Sequence, residues 1–206
     1  MNRATEVSVV VMLALGSGCS REARRAQPEP PVRAAGMGLA AAQLPQPGRR
    51  PPLVEAADRG HTSLVNLLLS KGARVDAGDR DGSTALQFAA ARGDRAILEA
   101  LLLKGADVNA RNKNGYTALI NAALFGQTAV VELLLDKGAE LNGKSRADMT
   151  PLMCAAMLGR APTMKALLGR GADLRLKDRN GKTALAHALA GGHAEAVQLL
   201  RRAGAE

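Results

Sequence analysis

Residues 81–113 read DGSTALQFAAARGDRAILEALLLKGADVNARNK, and this stretch holds one complete structural unit. Asp81-Gly82 is a turn dipeptide in which Gly accepts positive φ. Thr84 then stands where a helix N-cap belongs, its hydroxyl free to accept from an early helix N–H. Leu86, Ala89 and Ala90 follow at i, i+3 and i+4, one apolar face of a short helix. Gly93 suits the left-handed position that ends it. A second helix carries Ile97, Leu98, Leu101 and Leu102 on one stripe, with Lys104 opposing the negative dipole end and Gly105 as its stop. Asp107-Val108-Asn109 leads through polar residues to the next turn.

The unit recurs. Gly72-Ala73, Gly105-Ala106, Gly138-Ala139, Gly171-Ala172 and Gly204-Ala205 are each 33 residues apart. Gly60, Gly93, Gly126, Gly159 and Gly192 keep the same period, as do Thr84, Thr117, Thr150 and Thr183. Helices this short are marginal in isolation. The pairs Ala56-Ala57, Ala89-Ala90, Ala122-Ala123 and Ala155-Ala156 let neighbouring units approach closely, so stacking supplies the stability.

The openings Asp81-Gly-Ser-Thr-Ala-Leu, Asn114-Gly-Tyr-Thr-Ala-Leu, Met149-Thr-Pro-Leu and Asn180-Gly-Lys-Thr-Ala-Leu resemble those of ankyrin repeats, and Gly-Ala-Asp-Val-Asn at 105–109 is similar to their ending. The resemblance implies an all-α solenoid of helix–turn–helix units with short hairpin-like fingertip loops over 51–206. Its units run about 51–80, 81–113, 114–146, 147–179 and 180–206. The family's His slot holds Val54, Gln87, Ile120, Met153 and Ala186 here, which implies loss of a hydrogen bond that ties the loops together. Pro51-Pro52 replaces the cap of the first unit. Arg201 and Arg202 make the last outer helix more polar, as an end unit needs.

Composition agrees with a helical core. Apolar residues make up 47% of the 206, yet aromatics are only Phe88, Tyr116 and Phe125, which disfavours an all-β core. Two Cys exclude a disulfide scaffold. The net charge of +9 favours anionic partners without naming one.

The first residues differ in kind. Arg3, an apolar stretch Val7–Leu15 and small residues Gly16-Ser17-Gly18 predict a signal peptide over 1–18. Cys19 directly after them resembles the lipidated Cys of bacterial lipoproteins, although Leu15 lies four residues before it and not three. Residues 19–50, rich in Pro, Arg and Ala, read as a disordered linker or tether with a reach of about 100 Å when extended. Export to the periplasm, or anchoring in a bacterial envelope through Cys19, is the expectation; a cytoplasmic protein is the alternative.

In a stacked solenoid, specificity resides in the fingertips and the concave face. Phe88, Tyr116 and Phe125 occupy such slots, and Met149, Met157 and Leu158 continue the apolar character. These six are the candidate protein-binding residues, since aromatics bury large area at small rotamer cost. The competing reading has Phe88 and Phe125 packed against adjacent units. Arg80, Lys113, Arg146 and Arg179, 33 apart, form a basic fingertip row that would suit an anionic polymer or surface. The absence of interleaved aromatics disfavours nucleic acid. Cys154 and His187 share a slot in successive units and are the one candidate for nucleophilic chemistry, but no residue is evidently placed to orient His187. No cofactor or metal motif appears. The expectation is a monomeric, non-catalytic module that binds another protein.

Overall fold

A computed structural model describes residues 50–205. The readings made for residues 1–49, with Cys19 among them, lie outside the described residues. Among the described residues ten helices form five pairs: α1 (Pro52–Asp58) with α2 (Thr62–Ser70), α3 (Ala85–Arg92) with α4 (Arg95–Leu103), α5 (Ala118–Phe125) with α6 (Thr128–Asp136), α7 (Pro151–Met157) with α8 (Ala161–Gly169), and α9 (Ala184–Gly191) with α10 (Ala194–Arg202). Among the described residues no strand forms; a single isolated bridge joins Gly78 and Thr84. No helix there is long and apolar enough to cross a membrane.

Local chemistry sets the helix ends. The hydroxyls of Thr117, Thr150 and Thr183 accept from the N–H groups of Ile120, Met153 and Ala186, each at 3.3 Å. Thr84 caps α3 differently: Gln87 Oε1 accepts from the Thr84 N–H at 3.2 Å, while Thr84 Oγ1 is buried with no hydrogen-bond partner. Pro51 and Pro52 open α1 with no side-chain cap, Pro52 sitting where its missing N–H costs nothing. Gly93 closes α3 at φ 82°, and a Cβ there would run into Gln127 Oε1 of the next pair. The glycine thus serves both the turn and the neighbour's approach.

The odd-numbered helices stack in one row and the even-numbered helices in a second row behind it. The four Ala pairs sit at the inner contacts, each residue no more than 2% exposed. Ile97, Leu98 and Leu101 are buried, whereas Leu102 is only half-buried and Leu103 points to solvent. In the last pair Leu189 stands where the others carry the second Ala, and it is 52% exposed.

Polar bonds repeat across each junction between pairs. Arg92 Nη1, Gln127 Nε2, Arg160 Nε and His193 Nε2 donate to the carbonyls of Asp58, Ala91, Leu124 and Met157 in the preceding pair. Side-chain oxygens of Asp76, Asn109 and Asn142 accept from the N–H groups of Asp107, Glu140 and Asp173 in the following one. The junctions are therefore held by directional bonds as well as by buried methyls.

Candidate binding surface

Each fingertip is built on one short acceptor side chain. Oδ1 of Asp79 accepts from the N–H groups of Asp81 and Ser83, both at 2.9 Å. Asn112 Oδ1 does the same for Asn114 and Tyr116, Ser145 Oγ for Ala147 and Met149, and Asp178 Oδ1 for Asn180 and Lys182. Asx and Ser side chains close turns in this way because they reach a backbone N–H two residues on. Successive fingertips are then stitched together. The N–H groups of Lys113, Arg146 and Arg179 donate to the carbonyls of Asp81, Asn114 and Ala147 at 2.8–3.1 Å.

The basic row is exposed along its whole length: Arg80, Lys113, Arg146 and Arg179 all face solvent. Arg179 also donates through Nη2 to the carbonyl of Arg146. A second row, which the sequence reading passed over, stands two residues before the first. It comprises Arg111, Lys144 and Lys177, all exposed, with Gly78 at its head. The 33-residue spacing was the available signal.

The apolar slots behave differently from the expectation. Phe88 and Tyr116 are each 6% exposed, and Met149 and Met157 are buried as well. These four were expected on open surface, and the structure corrects that. Arg50 covers Phe88, its guanidinium carbon 4.8 Å from the ring centroid while Nη1 pairs with Asp58 at 2.5 Å. Tyr116 is held between the turn acceptor Asn112 and the Gln87 amide, which donates to the Tyr116 carbonyl at 2.7 Å. Burial, with the nearby Cys154, pushes its phenol up to about 12. Phe125 and Leu158 remain half-exposed, at the ends of α5 and α7 and one repeat apart. Asn121 Oδ1, in the same slot as Phe88 and Cys154, is buried without a hydrogen-bond partner.

Two polar residues also depart from the sequence reading. Gln87 takes over what the absent His would do: it accepts from Thr84 and donates to the carbonyls of Ala110 and Tyr116. An amide carries both donor and acceptor at similar reach, so the loops stay tied at this junction. His187 does have an orienting acid, since its Nε2 lies 2.9 Å from Asp178 Oδ2. Burial alone would raise the Asp178 carboxyl. The Lys182 N–H, the His187 ring and the Asn180 N–H outweigh it and hold the group below its ordinary range. Cys154, in contrast, is fully buried, and burial pushes its thiol up to about 12. A thiol in that range is not the thiolate that nucleophilic chemistry needs at neutral pH.

A family model described as ankyrin repeats (3 copies) matches residues 53–145 and 142–206. The chain belongs to the ankyrin-repeat family. No curated protein matches the chain as a relative. Ankyrin repeats are generally protein–protein interaction modules and are typically non-enzymatic. In this ankyrin array the two basic fingertip rows are exposed and the Phe125–Leu158 pair is half-exposed. Among the described residues no group of His, Cys, Asp and Glu is placed to hold a metal ion.

Proposed function

We propose that this ankyrin array is a non-catalytic, monomeric binding module for another protein, exported and tethered to the bacterial envelope through Cys19. The observation that carries the binding reading is the alignment of exposed side chains on hydrogen-bonded fingertips, where successive turns are fixed to one another through their backbones. Such a surface loses little conformational freedom on association. Phe125 and Leu158 add the apolar contact. Phe88, Tyr116, Met149 and Met157 lie beneath as support, and their contribution to a partner would be indirect. The tether reading rests on the signal-like residues 1–18 and on Cys19 after small residues; a lipid anchor would raise the effective concentration towards envelope partners.

Fractionation of wild type and Cys19→Ala, with mass spectrometry of the mature N-terminus, tests the tether. A mature chain beginning at lipidated Cys19 in the membrane supports it, and an intact Met1 terminus in the cytosol removes it. Crosslinking in intact cells tests the binding. Products with a defined protein should fall several-fold when Phe125 and Leu158 are both replaced by Ala.

The four exposed cations Arg80, Lys113, Arg146 and Arg179 favour a second reading, the binding of an anionic polymer or surface. Steep loss of binding with added salt would mark that mode, because counterion release scales with the number of anions contacted.

A further inference from the structure

We propose that the fingertip edge receives an extended acidic segment of the partner protein, with a carboxylate at about every third residue. The proposal rests on the reading of the array as a protein-binding surface and names the chemistry of what it binds.

Four observations carry it. The edge bears eight exposed cations, the seven of the two rows and Lys182, which stands where the other units have Ser83, Tyr116 and Met149. Among the described residues, the side chains of Arg80, Lys113, Lys144, Arg146, Lys177 and Lys182 form no ion pair with a carboxylate; Arg111 alone of the two rows does, with Glu140 at 2.7 Å. Of the acids beside the rows, Asp81 and Asp148 form no ion pair with Arg80 or Arg146. Asp79 and Asp178 are turned onto turn amides, and Asp178 also onto His187. Among the described residues, the exposed cations other than Arg111 are thus not held in ion pairs.

The third observation is register. Within each turn the chain passes out and back, with Asp79 bonded to Ser83, and the next turn is bonded alongside through Lys113 and Asp81. Two chain passes at about 4.8 Å each put successive cations of a row about 10 Å apart. An extended polyproline-II segment advances about 9.3 Å in three residues, so side chains at i, i+3 and i+6 meet successive cations. The fourth observation is the absence of a stacking platform: Tyr116, the one aromatic in a fingertip, is buried, so bases have no ring to lie on.

The test is fluorescence anisotropy of labelled peptides with the purified chain at moderate salt. One peptide carries four Glu, one at every third position, among Gly and Ser. A second has the same composition with the four Glu in one block. A third ligand is an oligothymidylate carrying four phosphates. The spaced peptide should bind at least tenfold more tightly than the block peptide and the oligonucleotide. The quadruple variant Arg80→Gln, Lys113→Gln, Arg146→Gln and Arg179→Gln should lose about tenfold, with its helical circular dichroism unchanged. Single variants Lys113→Gln and Lys144→Gln, both at exposed tips, should each lose two- to threefold and stand in if the quadruple variant does not fold. Equal binding of the block peptide, tighter binding of the oligonucleotide, or undiminished binding by the folded variants would overturn the proposal. Should the peptides fail while crosslinking to a protein still depends on Phe125 and Leu158, the acidic-segment inference falls alone. Loss of both would remove the protein-binding reading as well.

Discussion

His187 Nε2 lies 2.9 Å from Asp178 Oδ2, and the other oxygen of that carboxylate takes the N–H groups of Asn180 and Lys182 at 2.8 Å each. One side chain thereby closes the last fingertip and fastens it to α9. The folded carboxyl titrates below its unfolded value, so its contribution to stability is complete above the unfolded value of about 3.9 and is lost as pH falls through the folded one. Asp178→Ala should cost about 1–3 kcal/mol at neutral pH, because two turn amides and the ring lose their acceptor. Asp178→Asn should cost less, since Asn112 fills the equivalent place two units earlier. It should also flatten the acid loss. Urea midpoints at pH 7 and pH 3 check both outcomes.

Gln87 makes three hydrogen bonds across the second and third units while 1% exposed. Gln87→Ala strands the Thr84 N–H and leaves a cavity, for an expected loss of about 2–4 kcal/mol. Gln87→Glu should be destabilising too, because a carboxylate cannot donate to the carbonyls of Ala110 and Tyr116. Chemical denaturation of the two variants reads both losses.

Asp148 adopts φ 59° in the slot where Gly82, Gly115 and Gly181 hold φ of 74–76°. A left-handed residue with a Cβ is disfavoured, and Asp tolerates it better than most. Asp148→Gly should therefore raise stability by about 0.5–1 kcal/mol, net of the backbone entropy that Gly loses on folding. A rise of a few degrees in the melting temperature would register it. A fall would show that the carboxylate has a role at this tip.

Cys154 should resist alkylation in the folded chain up to at least pH 9, since its thiol is fully buried and raised to about 12. Labelling by iodoacetamide at pH 8 should follow the opening rate of the array and become fast only in urea. Rapid labelling at Cys154 of the folded chain, resolved from Cys19 by peptide mass spectrometry, would return the Cys154–His187 pair to consideration as chemistry.

The helices and their ends were legible because the rules that make them are local. Thr caps, left-handed glycines and small Ala contacts act within a turn or between equivalent places 33 residues apart. Exposure was not legible for Phe88, since the residue that covers it, Arg50, comes from the stretch read as linker. Nor was it for Tyr116 and Met149, whose slots are open or closed according to what the adjacent turns place over them. The His187–Asp178 pair needs the turn to fold back over nine residues. Its signal was the series Asp79, Asn112, Ser145 and Asp178, four short acceptors in register. Gln87 was read by what it replaced, when its own donor and acceptor were the informative property.

The bonds to the carbonyls of Asp58, Ala91, Leu124 and Met157, the amide bonds received by Asp76, Asn109 and Asn142, and the fingertip links lie at three separate places, and all three are present at the two central junctions. A sheet of material fastened along one edge swings like a door; fastened at three levels it can only flex. Under load, this array should behave as a spring with its strain shared over many small displacements, able to follow a partner of slightly different curvature and recoil when released.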